Sequence, residues 1–134
     1  MNFDDYVIPL NQFDAGDEGV LAVLDEQSLP FSPNRLFFVY NVSKGTSRGN
    51  HAHKKCKQLI IVVEGIVEIL IDNGHERETV LVENPSQSIY LPELTWSCQT
   101  TKSNYSSICV IASDKYEPTD YIFEYEKFKK LVLS

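Results

Sequence analysis

The residues best suited to chemistry in this chain are His51 and His53, two imidazoles separated only by Ala52. In an extended strand, side chains two positions apart leave on the same side, so both rings would enter one pocket while Ala52 faces away. An imidazole titrates near pH 6.5, which suits it to passing protons at neutral pH or, deprotonated, to binding a metal. Arg48 and Lys54 bracket the pair and supply cations that would hold a diphosphate or polarise a carbonyl. Gln58 would hydrogen-bond a substrate or orient a histidine, and Arg35 lies upstream on another apolar stretch. Trp96, the only tryptophan, would either stack on a ligand or pack in the core. His75, beside Asn73-Gly74, falls about one strand length from the pair and is not taken as a third ligand.

Composition narrows the ligand. Twelve basic against nineteen acidic side chains give a net charge of −7, so salt-driven binding to nucleic acid is excluded, and a phosphate must meet a local cluster of cations. Cys56, Cys98 and Cys109 are odd in number and lack paired spacing, which predicts reduced thiols rather than disulfides or a cysteine zinc site. The start MNFDDYVIPL has no basic segment before an apolar run, so a secretory leader is not expected and the cytoplasm is the expected location. The most apolar run, Leu59 to Ile71, is broken by Glu64, Gly65 and Glu68 and is too short to span a bilayer, so no membrane partner is expected.

The elements that must position the histidines read as strands. Stretches rich in Val, Ile, Leu, Phe and Tyr recur at 19–24, 35–42, 57–63, 66–71, 78–82, 88–91 and 106–112, separated by turn formers. This rhythm predicts an all-β sandwich or barrel forming one domain over 1–134. Asp72-Asn73-Gly74 predicts a hairpin with a two-residue turn, and Glu64-Gly65 a second turn. Only 125–133, with Phe128, Leu131 and Val132 at helical spacing, predicts a short amphipathic helix packed on the barrel wall. Tyr90 is assigned to the barrel core, Tyr121 and Tyr125 to the packing of the C-terminal segment.

A larger pattern frames the histidines. Gly45, His51-Ala52-His53, Gln58 and Gly65 resemble the first motif of the cupin superfamily, with glutamine where metal-binding cupins carry glutamate. The second motif falls around 86–97, with Pro92 in place, Leu94 for the usual glycine and Ser97 where the last metal-binding histidine would stand. The resemblance implies a cupin or jelly-roll barrel. Three protein ligands are usual for a catalytic zinc or iron, and two histidines with a neutral glutamine fall short, so no metal and no cofactor are expected.

The run Arg48-Gly49-Asn50-His51-Ala52-His53-Lys54, with Ala112 to Ile122 some way downstream, is similar to the nucleotide-sugar 3,4-ketoisomerases. What this resemblance implies is metal-free movement of a ketone from C4 to C3 of dTDP-4-keto-6-deoxyglucose, on a route to 3-amino-3,6-dideoxyhexoses of surface polysaccharides. It also implies a homodimer, often with an N-terminal segment exchanged. Phe37 replaces a tyrosine frequent in that family, and Phe123 an arginine. Tyr40 has the opposite strand parity to residue 37 and is not assigned a catalytic role.

Such a reaction removes the C3 proton, passes through an enediol-like intermediate and returns a proton to C4. A carbon acid beside a ketone has a pKa of roughly 18 to 20 against about 6.5 for imidazole, so unassisted transfer is uphill by roughly 16 to 18 kcal/mol. That nearly fills the barrier of about 17 kcal/mol compatible with one turnover per second. A donor must therefore neutralise the C4 oxygen as charge develops. His51 is assigned as the base at carbon and His53 as the donor or shuttle at oxygen, although the spacing leaves these labels interchangeable. Arg35, Arg48, Lys54, Gln58 and Trp96 are assigned to substrate binding. The competing assignments are a nucleotide-sugar 3,5-epimerase, a non-catalytic nucleotide-sugar-binding module and a metal-dependent dioxygenase.

Overall fold

The computed structural model describes residues 2–134. Two five-stranded sheets carry the fold, both built largely from antiparallel pairs. The strands are β1 (Val7–Pro9), β2 (Asn11–Asp14), β3 (Val20–Val23), β4 (Arg35–Val42), β5 (Ser47–His53), β6 (Gln58–Glu64), β7 (Val67–Asp72), β8 (Arg77–Val82), β9 (Gln87–Leu91), β10 (Trp96–Thr101), β11 (Ser106–Ala112) and β12 (Tyr121–Ile122). One sheet runs β1-β9-β6-β11-β4 and the other β12-β5-β10-β7-β8, while β2 and β3 form a separate hairpin. The single α-helix among the described residues, α1, covers Tyr125–Leu133.

The core lies between the sheets because each contributes one apolar face. Ile60, Val62, Ile89, Leu91, Ile108 and Val110 from the first sheet meet Val67, Ile69, Ile71 and Val82 from the second. On β4 the alternation is visible residue by residue. Arg35, Phe37 and Val39 turn inward, whereas Leu36, Phe38 and Tyr40 remain 55%, 59% and 70% exposed. Tyr90, expected in the core, is half-buried and meets Phe31 instead.

A second apolar cluster, Ala52, Trp96, Ile122 and Phe128, lies beneath α1. Three side chains fasten the helix there. Tyr125 donates its hydroxyl to Asp72 Oδ2 at 2.7 Å, and Lys129 Nζ donates to the Gly74 carbonyl at 2.6 Å. Val132 packs over Gly74, whose φ of +92° and lack of a Cβ admit the close approach. Phe128 and Val132 thus face inward as the spacing predicts, but Leu131 is 45% exposed.

The predicted helix and the seven predicted strands fall where the sequence places them, as α1 and as β3, β4, β6, β7, β8, β9 and β11, whereas β5 and β10 lie outside the predicted stretches. The expected two-residue turn is corrected: Asp72 pairs with Arg77, so four residues close the β7–β8 hairpin. Asn73 Oδ1 accepts from both His75 N and Glu76 N at 2.9 Å, which stabilises this wider loop. Among the described residues no helix is long and apolar enough to cross a membrane.

Candidate active site

β5 carries the site, and its irregularity shapes it. Ser97 of β10 pairs with His51, but the next residue, Cys98, pairs with Gly49, so Asn50 is an extra residue opposite the gap. Gly49 and Asn50 both have positive φ, at +91° and +56°, conformations these residue types tolerate. This bulge resets the alternation. Arg48 and His51, three residues apart, both line the cavity, as do their β10 partners Gln99 and Ser97. Gly49 is also forced by space, since a Cβ there would sit 3.1 Å from the Ser97 carbonyl oxygen.

The cavity, with ≈ 590 Å³ of empty space including its open mouth, is lined by His51, His53, Arg48, Gln58, Cys56 and Phe37, with aliphatic side chains from β6 and β11. The two imidazole rings meet edge to face at 5.0 Å. His53 is buried, and its Nδ1–H donates to Asp120 Oδ2 at 3.0 Å. Asp120 is buried as well, on the turn before β12, and its carboxylate also accepts the backbone N–H groups of Lys55 at 2.8 Å and Cys56 at 3.2 Å. Burial would push this carboxyl up, but the Lys55, His53 and Cys56 donors outweigh it and hold its pKa below the ordinary carboxylate value. An ionised Asp120 fixes His53 as the Nδ1–H tautomer, leaving Nε2 with a lone pair and no partner among the described residues.

Burial lowers the pKa of both histidines. For His53 the opposing hydrogen bond from Asp120 is insufficient, and the nearby charges of His51 and Arg35 add to the lowering. For His51 a bond to the Gly49 backbone offsets burial only in part. Both rings are therefore neutral at pH 7. Arg35 approaches from β4, with its guanidinium 5.3 Å from the Phe37 ring centre and 5.8 Å from that of Tyr116, and its buried Nε also lacks a partner among the described residues.

The sequence-assigned residues divide clearly. His51, His53, Arg48 and Gln58 converge on the cavity, and Arg35 lies beside His53. Lys54 is exposed and lines a separate groove with Tyr121, Phe123 and Lys127. Trp96 has the opposite parity to Ser97, so it shares the face of Ala52 and packs edge to face on Tyr125 at 5.3 Å, away from the cavity. Tyr121, assigned to the C-terminal packing, instead lays its ring 4.4 Å from His53 and 5.0 Å from His51. Asp120 was visible only as part of a motif, because nothing in local spacing joins it to a histidine 67 positions earlier. The metal-binding cupin arrangement is not reproduced: Ser97 spends its hydroxyl on the Leu70 carbonyl at 2.6 Å, and His53 Nδ1 is committed to Asp120.

A family model described as FdtA, WxcM-like, C-terminal, matches residues 4–133. The chain belongs to this family. A curated relative, the TDP-4-oxo-6-deoxy-alpha-D-glucose-3,4-oxoisomerase of Aneurinibacillus thermoaerophilus, is 29% identical over 113 residues, covering 84% of this chain and 81% of the relative. Among solved structures, a 3,4-ketoisomerase from Helicobacter canadensis superposes with a TM-score of 0.88 at 25% identity, covering 96% of each chain. QdtA, a sugar 3,4-ketoisomerase from Thermoanaerobacterium thermosaccharolyticum in complex with TDP, gives 0.87 at 27% identity over 95% of this chain and 93% of its own. A histidine-to-asparagine mutant of QdtA is known in complex with TDP-4-keto-6-deoxyglucose. Membership of the FdtA family bears out the resemblance to the 3,4-ketoisomerases, the all-β cupin-like fold with its C-terminal helix, and the assignment to the isomerases.

Proposed function

We propose that this chain moves a ketone from C4 to C3 of a dTDP-linked 4-keto-6-deoxyhexose, with His51 and His53 carrying the protons. The observation that supports this most directly is the pair of buried atoms without partners among the described residues, the Arg35 Nε–H donor and the His53 Nε2 acceptor. Buried polar groups are rarely left unpaired, so the two atoms ask for a ligand that carries both an acceptor and a donor. An α-hydroxyketone has that pattern. Its C4 carbonyl accepts from Arg35, which lowers the charge building on oxygen, and its C3 hydroxyl donates to His53 Nε2.

Two exchanges complete the reaction. His51 takes the hydrogen from C3 and returns a hydrogen to C4, while His53, backed by Asp120, takes the proton of the 3-hydroxyl and delivers one to the oxygen on C4. The C3–H bond and the C4 carbonyl are replaced by a C4–H bond and a C3 carbonyl, with no net redox change and no external reductant. Asp120 is a positioning residue that holds the tautomer and stabilises His53 when it is briefly cationic. Phe37 brings no hydroxyl to the cavity, which leaves Arg35 as the polarising group. Arg48 at the cavity edge suits the diphosphate. The product fits a route to amino-deoxysugars in the cytoplasm.

The working species is proposed to be a homodimer. Leu36, Phe38 and Tyr40 form an exposed apolar row on the edge strand, and the β2–β3 hairpin exposes Phe13, Val20 and Leu21 at 59%, 58% and 60%. A second copy would cover these surfaces, with the hairpin laid across the partner.

Incubation with dTDP-4-keto-6-deoxyglucose in deuterated water, followed by NMR of the product, tests the reaction. A 3-keto product with no deuterium at C5 is expected. Washout at C5 would point to an epimerase, and an unchanged sugar bound to the parent chain would point to a binding module.

A further inference from the structure

One feature of the site is not used by the proton transfers. Cys56 lies at the cavity wall, buried, and its Sγ, a ring nitrogen of His53 and a carboxylate oxygen of Asp120 all lie within 4.8 Å of one another. Only His53 of this trio stands at a cupin ligand position; Cys56 falls in the loop after β5 and Asp120 in the turn before β12. The trio is a mixed sulfur, nitrogen and oxygen set of the kind that suits zinc with a fourth position left open. The ring nitrogen on the side of the trio is Nδ1, 3.0 Å from Asp120 Oδ2, in a side chain that is 6% exposed.

We infer that His53, Cys56 and Asp120 form an inhibitory site for a thiophilic divalent cation such as zinc. Charge favours it. The thiol releases one proton as the metal–sulfur bond forms, and the resulting thiolate and the Asp120 carboxylate together neutralise a divalent ion in a site where uncompensated charge is costly. Tetrahedral zinc, with bonds of about 2.0 to 2.3 Å, needs donor atoms roughly 3.5 Å apart, so the trio closes by small side-chain shifts rather than by moving strands. The ion also disrupts catalysis by consuming groups the reaction needs. The His53 ring would bind through Nδ1, whose proton moves to Nε2, so His53 loses both its Asp120 partner and the Nε2 lone pair that serves the reaction. Inhibition follows without any contact with the sugar, and this half of the inference rests on the ketoisomerase assignment.

Cobalt, a spectroscopic stand-in for zinc, separates the two halves. The chelator-treated, reduced full-length chain is titrated with cobalt chloride. A thiolate-to-cobalt charge-transfer band saturating at one equivalent, with the intense visible bands of a four-coordinate ion, is expected. Cys56→Ala removes the charge-transfer band and His53→Gln weakens binding at least about tenfold, while Cys98→Ala/Cys109→Ala retains both. If circular dichroism shows Cys56→Ala to be unfolded, Cys56→Ser takes its place. No band in the parent, or a band lost in the Cys98/Cys109 variant, overturns the site. Zinc is then expected to abolish turnover stoichiometrically, with full recovery on chelation. Cobalt binding with turnover intact overturns the inhibition, whereas a parent chain without turnover in the absence of any metal overturns the assigned reaction and leaves the spectral result standing.

Discussion

Replacing Asp120 with asparagine probes the relay behind His53. The carboxylate serves three donors, with Lys55 N–H on Oδ1 and both Cys56 N–H and His53 Nδ1–H on Oδ2. An amide has one acceptor oxygen. Turned toward Cys56 and His53 it keeps two of the bonds, but its NH₂ then faces Lys55 N–H, which costs about 1 to 3 kcal/mol of stability. The tautomer of His53 survives, whereas the negative charge 3.0 Å from Nδ1 does not. Unit charges at about 4 Å and an effective dielectric near 20 attract by about 4 kcal/mol, and with water entering the open mouth roughly 2 to 4 kcal/mol remains. A transiently cationic His53 loses that stabilisation, so kcat falls by roughly 30-fold to 10³-fold. KM is expected to change little, because Asp120 is not among the residues that line the cavity. Since the charge of Asp120 raises the His53 pKa against burial, removing it moves the acid limb of the kcat profile to lower pH. Steady-state kinetics from pH 4.5 to 8, with thermal unfolding in parallel, measures both. A variant that folds, turns over within about threefold of the parent and keeps its acid limb would refute the relay.

Three other outcomes follow from the geometry. Both histidines have pKa values lowered by burial, so the unfolded chain takes up protons first as pH falls below about 6.5; stability, read as Tm against pH, should be full above that value and decline below it. Gly49→Ala places a side chain at φ +91° and against Ser97, which is expected to cost about 1 to 3 kcal/mol in denaturant unfolding and to lower kcat more than tenfold by displacing Arg48 and His51. Tyr125→Phe removes a donor from buried Asp72, which keeps Arg77 and the Gly74 N–H; stability should fall by roughly 1.5 to 3 kcal/mol with kcat/KM near the parent value.

Much of this architecture is legible in local sequence because its causes are local. Strand β11 and helix α1 end where their apolar patterns end, and His51-Ala52-His53 reads correctly because regular alternation holds across those three residues. Long-range partners are a different matter. Asp120 meets His53 only through the pairing of β12 with β5, and Tyr121 reaches both imidazoles by the same register, Tyr121 opposite His53. Trp96 looks like a ligand-stacking residue until one knows that α1 covers its face of the sheet. The four-residue loop after Asp72 escapes a dipeptide signal because Asn73 makes side-chain bonds two and three residues ahead.

The inserted Asn50 has a consequence for how such a site tolerates change. Ordinary substitutions act on one side chain, but a change that drew residue 50 into the pairing at constant length would act like a frameshift written in space. With even pleating restored, the histidines would keep their seats next to Ser97, while the arginine upstream of them would swing to the opposite surface of the barrel. The chain would still fold and would still present two imidazoles, yet its guanidinium would greet solvent instead of the phosphate-bearing guest. The slip in register at this bend, more than the identity of any neighbour, is what the strand can least do without.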